Sequence, residues 1–141
     1  FTHQTHTTNV RVSDRSRQRL RIVKPRTYSD VDGLVTDIPG ICLVTFYADC
    51  VPLYFVDPVK KVIGLSHSGW RGTVGKIGKV TVETMCREFK SRPEDILAAV
   101  GPSICQDCYE VSEDVIRQFQ KIFRKTAGMR CFIKKKIRST S

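Results

Sequence analysis

The sequence predicts a single α+β domain, because short apolar runs typical of strands occur together with two helical patterns. The apolar runs are bounded by turn-forming residues, and neither an internal repeat nor a linker rich in Pro, Gly or Ser divides the 141 residues. A chain of this length can bury a hydrophobic core of its own. We therefore expect residues 1–141 to form one unit, with residues 124–141 as a loose basic tail.

Five strands are predicted from the apolar runs. The segment "DPVKK" (57–61) is typical of a tight connection, so the runs 51–57 and 61–67 are predicted to be antiparallel neighbours. Their apolar residues are contiguous rather than alternating, which predicts that both strands are buried on both faces or nearly so. The remaining predicted strands are residues 20–23, 40–48 and 96–100.

Two helices are predicted from side-chain spacing. Between residues 73 and 90, side chains that can face a core recur every three or four positions, and Thr73 is expected to cap the start. Glycines such as Gly75 weaken a helix by about 1 kcal/mol relative to alanine, so we expect another segment to pack closely there. The second predicted helix covers residues 111–123, with Ser112 as its N-cap.

The formal net charge of +10 belongs to the two ends of the chain. Residues 1–26 carry seven Lys or Arg and one acid, and residues 117–141 carry nine Lys or Arg and no acid. The segment between them has eight basic and thirteen acidic residues. Basic ends can bind phosphate backbones, but aromatic residues are sparse in them, so nucleic acid is not an expected partner.

Localisation and redox state follow from what the chain contains. No apolar run approaches the roughly 20 residues of a membrane helix, and the first ten residues resemble neither a signal peptide nor a transit peptide. We therefore expect a cytoplasmic protein with no membrane partner, which begins inside a longer chain because it lacks an initiator Met. The six cysteines are expected to be reduced thiols, and the single CxxC at Cys105 and Cys108 is interpreted as incidental.

Cys50 and His67 are the first candidates for chemistry. Cys50 stands directly before a predicted strand that contains Pro52, which cannot donate to a sheet ladder and indicates an irregular position. His67 ends the next strand. If the hairpin pairs Cys50 with His67, the two side chains lie at the same end of the sheet. A cysteine and a histidine there can form a thiolate–imidazole pair or two ligands of a zinc ion.

His6, in "HQTHTTNV", is the third candidate. Two histidines and one cysteine make a three-ligand set that leaves one zinc position open, as in catalytic zinc sites. A buried cysteine can equally be a small hydrophobe, and a histidine near a chain end can be solvated. The residues alone leave both interpretations open.

The segment "GLSHSGWRGTVG" (64–75) places Arg71 and the only tryptophan, Trp70, among glycines at a predicted strand-to-helix junction. Glycines allow a ligand to approach the backbone N–H groups at a helix start, and a guanidinium adds a planar, permanently charged fork. We therefore predict that Arg71 and these N–H groups bind phosphate. Trp70 can stack on a base or pack in the core.

Five segments resemble the laccase-domain family, also called the multicopper polyphenol oxidase-like family, in their order and approximate spacing. The pair "ADCxP" and "HxGWRG" is highly specific, and the resemblance extends from residue 4 to about residue 120. The segments are "QTHTTNV" (4–10), "VDGLVTDIPG" (31–40), "ADCVPLYFVD" (48–57), "HSGWRGT" (67–73) and "GPSICQDCYEV" (101–111).

The resemblance implies an αββα-type sandwich with mixed sheets, of which this chain is expected to be a truncated version. It implies a zinc site formed by His6, Cys50 and His67, with Cys50 and His67 also catalytic. Older descriptions of the family assign copper and a laccase activity. A copper site of this type also needs a weak axial ligand such as methionine, and neither Met85 nor Met129 has a spacing that suggests one.

The implied activity is that of a purine nucleoside phosphorylase. Family members phosphorolyse adenosine, inosine, guanosine and methylthioadenosine to the free base and a ribose 1-phosphate, and they deaminate adenosine. A purine nucleoside and phosphate are therefore the expected partners, and nothing in the sequence indicates the oligomeric state. Asp49 and Asp107 are candidates for protonating the leaving base only through their proximity in sequence.

Three other functions remain open at this point. A metal-free cysteine hydrolase or deamidase would use Cys50 as nucleophile and His67 as base. A copper-dependent polyphenol oxidase would use the same three ligands for a different metal. A truncated, inactive module would only bind a metal or nucleic acid.

Overall fold

The computed structural model describes residues 4–13 and 30–123 of the chain. It contains two compact units, residues 1–103 and residues 104–141. The predicted strand at residues 20–23 and the predicted basic tail at residues 124–141 lie outside the described residues.

The first unit contains a five-stranded mixed sheet in the order β1-β2-β4-β3-β5. Strands β1 and β2 are parallel, and the other neighbouring pairs are antiparallel. This confirms the α+β class and the mixed sheet. The elements are β1 (Val10–Val12), β2 (Gly33–Thr36), β3 (Val51–Asp57), β4 (Val62–Ser68), α1 (Trp70–Val74), α2 (Ile77–Phe89), a short 3-10 turn (Pro93–Asp95) and β5 (Leu97–Val100).

The predicted hairpin is confirmed, but its register differs from the expected one. Pro52 rather than Cys50 lies opposite His67. The shift arises at the turn. There the Asp57 carboxylate accepts two backbone N–H groups, each at 2.9 Å, from the two residues that follow Pro58. Lys61 ends the turn with a φ of 56°. Cys50, one position outside β3, and His67 nevertheless lie at the same end of the sheet, as predicted.

Burial of the hairpin is as expected for β4 but not for β3. Six of the seven β4 residues are buried, whereas Tyr54 and Val56 of β3 are 44% and 43% exposed. The opposite face of β3 packs under α2, where Phe55 and Met85 form a buried cluster with Val35 and Val62. The expectation that β3 is buried on both faces is therefore wrong, because α2 covers only one face of the sheet.

The predicted strand at residues 40–48 is absent, since residues 37–50 form a loop. The backbone of this loop hydrogen-bonds to a side chain rather than to a neighbouring strand. Phe46 donates its N–H to Gln4 Oε1 at 2.9 Å, and its carbonyl accepts from Gln4 Nε2 at 3.0 Å. The short strands β1 and β2 were not predicted. In β2, the flanking Asp32 and the terminal Gly33 interrupt the apolar pattern, although the strand itself is fully buried.

The single helix predicted between residues 73 and 90 is two helices. Thr73 lies inside α1 rather than at a cap, and its hydroxyl donates to the carbonyl of Gly69 at 2.9 Å. The break falls at Lys76, whose φ of 59° starts α2 from a left-handed residue. The expected close packing at Gly75 is confirmed, because a Cβ there would lie 2.5 Å from Thr8 Cγ2.

The second unit contains α3 (Glu113–Phe123), which confirms the second predicted helix to within two residues. Ser112 precedes it at the predicted N-cap position, and its carbonyl accepts the N–H of Ile116 at 3.2 Å. Phe119 and Phe123, one turn apart, stack with ring centroids 5.9 Å apart. No helix within residues 4–13 and 30–123 has the length and apolar character needed to cross a membrane.

Candidate metal centre

The side chains of His6, Cys50 and His67 meet where β4 ends. Their donor atoms all lie within 4.8 Å of one another, and Cys50 Sγ is 3.9 Å from His6 Nε2. The two imidazole rings are 5.1 Å apart between centroids, at an interplanar angle of 64°. His67 is buried, Cys50 is partly buried and His6 is exposed. The group is therefore anchored in the sheet on one side and accessible to solvent on the other.

Three separate segments supply these side chains. His67 is the penultimate residue of β4, and Cys50 directly precedes the antiparallel neighbour β3. His6 lies four residues before β1, in a segment that has no strand partner of its own. Another group must therefore hold His6 at the end of β4.

Asp32 is that group. Its fully buried carboxylate accepts the backbone N–H groups of Thr5, His6 and Thr7 at 3.3, 3.2 and 2.6 Å, and the Thr7 hydroxyl at 2.8 Å. Its backbone carbonyl accepts the N–H of His67 at 2.7 Å. One residue thus fastens the segment that carries His6 to the strand that carries His67.

The Asp32 carboxylate also orients the His67 ring, because Oδ1 lies 3.0 Å from Nδ1 of His67. Burial opposes ionisation of Asp32, but hydrogen bonds from Thr7, His67 and His6 outweigh it and lower the pKa of this carboxyl below its ordinary value. An ionised carboxylate only accepts hydrogen bonds, so His67 Nδ1 carries a proton. The other ring nitrogen, Nε2, therefore keeps its lone pair, as a metal-ligating histidine requires.

The environment of Cys50 favours a ligand over a free nucleophile. Burial raises the pKa of the Cys50 thiol, and the negative charges of Asp49 and Asp32 raise it further. Reactive metal-free thiolates instead sit in electropositive surroundings that lower their pKa. A bound cation reverses this preference, because a coordinating thiol is deprotonated.

Gly69 makes room for the centre. A Cβ at this position would lie 2.7 Å from His6 Cδ2, which is too close, and 3.1 Å from Cys50 Sγ, which is tight. The sequence predicts that the glycines near residue 70 allow a ligand to approach. At Gly69 the structure gives a different reason, which is the close approach of two side chains of the centre itself.

Arg71 lies two residues beyond Gly69, in α1. Its side chain is exposed, and its guanidinium carbon is 4.3 Å from the centroid of the partly buried Trp70 ring. Helix α1 has only five residues, so the long helix predicted to begin beside Arg71 is absent at this point.

The three donors fit a metal ion by type and separation. Zinc binds cysteine sulfur at about 2.3 Å and histidine nitrogen at about 2.0–2.1 Å, which places the two donors of a tetrahedral site about 3.6 Å apart. The observed separation of 3.9 Å between Sγ and Nε2 needs only a small contraction, and every pair among the three donors lies within 4.8 Å. A copper centre with these ligands adds a weak axial group such as methionine. Met85, the methionine in the described part of the chain, is buried in the core under α2.

The family model described as "Multi-copper polyphenol oxidoreductase laccase" matches residues 1–140. The chain belongs to this family. It is 45% identical over 119 residues to adenosine deaminase RL5 of an unknown prokaryotic organism, which covers 84% of this chain and 45% of that protein. It is 55% identical over 89 residues to a purine nucleoside phosphorylase of Deinococcus radiodurans, which covers 63% of this chain and 35% of that protein.

Solved structures of relatives agree with the fold of this laccase-family chain. YlmD from Geobacillus stearothermophilus superposes with a TM-score of 0.77 at 34% identity, covering 85% of this chain and 45% of that one. The chain therefore spans less than half the length of these relatives.

Two residues of this laccase-family site were not identified from the sequence. Asp32 could have been recognised from a charge placed inside the apolar segment "VDGLV", which indicates a buried and therefore partnered carboxylate. Tyr47 has its ring centroid 5.4 Å from that of His67, and its hydroxyl donates to the carbonyl of Ser66 at 3.2 Å. Its loop was predicted to be a strand, and no spacing signal connects it to His67.

Proposed function

We propose that this chain carries the zinc centre of a purine nucleoside phosphorylase, with His6, Cys50 and His67 as the metal ligands. The observation that carries the proposal is the convergence of three donor atoms within 4.8 Å from three separate segments. Relatives from Deinococcus radiodurans and Bacillus subtilis are named purine nucleoside phosphorylase, which supports a nucleoside and phosphate as substrates. The proposed nucleosides are adenosine, inosine, guanosine and methylthioadenosine, and the proposed location is the cytoplasm.

The roles of the protein groups follow from their contacts. A zinc ion, when bound, supplies a Lewis acid that stabilises developing negative charge. The Asp32 carboxylate, with Oδ1 3.0 Å from Nδ1 of His67, keeps the ring proton on Nδ1, so that Nε2 serves as the ligand atom. His6 is exposed, which leaves the centre accessible to a substrate from solvent.

Arg71 is the proposed phosphate-binding residue. During phosphorolysis the sugar C1′ becomes positively charged as the base leaves, so an anionic nucleophile must be held beside it. The exposed guanidinium lies over the Trp70 ring, which restricts its orientation, and it is two residues from Gly69 at the centre. A planar fork held in this way suits the oxygens of phosphate.

Adenosine deamination is proposed as a second activity of the same centre. The support is the relative named adenosine deaminase RL5, at 45% identity. The two activities give different products from adenosine, since phosphorolysis yields adenine and deamination yields inosine.

Metal content tests the ligand assignment directly. We expect one zinc per chain by elemental mass spectrometry, lost in Cys50→Ala and in His67→Ala. Cys42→Ala is the matched control, because Cys42 is a free, exposed cysteine outside the group and its loss should leave zinc unchanged. Zinc retained at full stoichiometry in both site variants, with native circular dichroism, would contradict the assignment.

Nucleoside turnover tests the activity. The chain is incubated with adenosine with and without phosphate, and the products are separated by chromatography. Adenine that appears only with phosphate and disappears in Cys50→Ala supports phosphorolysis, and inosine formed without phosphate supports deamination. Turnover that survives Cys50→Ala places the reaction elsewhere, and metal-free turnover blocked by thiol alkylation identifies a cysteine hydrolase instead.

A further inference from the structure

Cys105 and Cys108 form a second pair of reactive groups, in the second unit of the chain. Both thiols are free and exposed, and their sulfur atoms lie 2.9 Å apart. Exposed cysteines carry no packing role that would explain this contact. The sequence alone offered only the CxxC spacing, whereas the structure adds the direct contact between the sulfurs.

A turn of the backbone brings the two sulfurs together. The carbonyl of Cys105 accepts the N–H of Cys108 at 3.2 Å and that of Tyr109 at 3.1 Å, which closes the chain over the two intervening residues. A disulfide bond is about 2.05 Å long, so the sulfurs need to move by less than about 1 Å to bond. The turn is therefore already close to the geometry of the oxidised pair.

The two thiols are electrostatically unequal. The Cys108 thiol beside the sulfur of Cys105, together with the backbone N–H groups of Cys108 and Asp107, lowers the pKa of Cys105. The same contact raises the pKa of Cys108. Cys105 is thus the thiol more readily ionised, and Cys108 is placed to react second.

We propose that Cys105 and Cys108 are a redox-active dithiol that exchanges with small-molecule disulfides of the glutathione type. The Cys105 thiolate attacks one sulfur of the small disulfide, which forms a mixed disulfide and releases one thiolate. Cys108 then attacks the Cys105 sulfur, which closes the protein disulfide and releases the second thiol. Each cysteine gives up one proton to a departing thiolate, so two electrons pass from the protein to the small disulfide.

Alkylation followed by peptide mass spectrometry tests this step on the full chain. Trypsin releases residues 91–117 as one peptide, because the Arg92–Pro93 bond resists cleavage, and its only cysteines are 105 and 108. The chain is incubated with oxidised glutathione and an excess of reduced glutathione, quenched with an alkylating agent and digested. We expect this peptide to lose both alkylation sites and two hydrogens, with no glutathione attached.

Two variants separate the proposed order of attack from incidental oxidation. Cys108→Ser should trap one glutathione on Cys105, because the second attack is removed. Cys42→Ser, which removes another exposed thiol, should leave the oxidation of the 91–117 peptide unchanged. The proposal is overturned if the peptide keeps two alkylated thiols in the redox buffer, or if it carries glutathione on both cysteines.

Discussion

The buried carboxylate of Asp32 lies 3.0 Å from Nδ1 of His67, and the same carboxylate accepts the backbone N–H groups of the segment that carries His6. A single side chain thus fixes both the ring orientation of one proposed ligand and the position of another. Carboxylates of this kind typically contribute a factor of about 10–100 to metal affinity.

Asp32→Asn should therefore weaken zinc binding by about 10–100-fold, because a donating NH2 group replaces one of the two accepting oxygens, so that either His67 Nδ1–H or the N–H groups of the segment with His6 lose their acceptor. Competition with a chromophoric chelator measures the affinity. Asp30→Asn is the control, since within the described residues the Asp30 side chain accepts from the Thr5 hydroxyl at 2.9 Å rather than from a proposed ligand. Equal zinc affinity in the two variants would rule out the orienting role of Asp32.

Gly69→Ala should abolish metal binding while leaving the sheet intact. The new Cβ would lie 2.7 Å from His6 Cδ2 and 3.1 Å from Cys50 Sγ, so the His6 ring must move away from its present position beside the other donors. Gly72→Ala is the matched control, because a Cβ at Gly72 would lie no closer than 3.5 Å to the nearest heavy atoms around it. Elemental analysis measures the zinc content of both variants. Full zinc occupancy in Gly69→Ala would contradict this prediction.

Arg71→Ala should raise the KM for phosphate by about tenfold or more, since a hydrogen bond to a charged group contributes about 1.5–3 kcal/mol. Zinc content should stay at the wild-type level, because Arg71 is not among the three donors. Lys76→Ala, which removes another exposed cation of the same region, should change neither quantity. A phosphate KM equal to that of the wild type would exclude Arg71 from phosphate binding.

Met85→Ala should lower the free energy of unfolding of the first unit by about 2–5 kcal/mol, because it leaves a cavity in the core under α2. Met85→Leu nearly conserves the volume and should cost less than about 1.5 kcal/mol. Urea unfolding monitored by circular dichroism measures both. Similar losses in the two variants would show that the cavity does not determine the effect.

The turn residue Asp57 should make stability depend on pH. The Ser91 hydroxyl and the N–H groups of Lys60 and Val59 lower the pKa of Asp57 in the folded chain. Its stabilising contribution is therefore complete above the unfolded-state pKa of about 3.9, and it is lost as the pH falls through the folded-state pKa. Urea midpoints of the wild type between pH 6 and about pH 3 should consequently fall more steeply than those of Asp57→Asn.

A control for this pH dependence is Asp114→Asn, in the first turn of α3 in the other unit. Its urea midpoints should follow the wild-type pH dependence of the first unit. Parallel curves for Asp57→Asn and the wild type would contradict the role assigned to Asp57.

The hairpin was predictable because its signals are local. Pro58 and the lysines that follow define a turn between two apolar runs, and any antiparallel pairing about this turn brings Cys50 and His67 to one end of the sheet. An error of two residues in register did not affect that conclusion. The prediction that Cys50 and His67 lie close together thus depended on the antiparallel topology of the hairpin and not on the exact length of its turn.

The remaining parts of the site depend on long-range contacts that have no local pattern. Strand β2 has only four residues and is stabilised by burial between β1 and β4. The loop at residues 37–50 looks like a strand in sequence, but Gln4 satisfies part of its backbone instead. The helix break at Lys76 depends on a left-handed backbone conformation that the residue type does not suggest.

His6 and Cys50 are 44 residues apart in the chain, and His67 lies still further along. An ion shared by these side chains would therefore act as a cross-link that ties the amino-terminal segment to the β3–β4 hairpin. Because the donors come together only in the folded chain, unfolding would release the ion, so part of its binding energy would appear as resistance of the whole unit to unfolding.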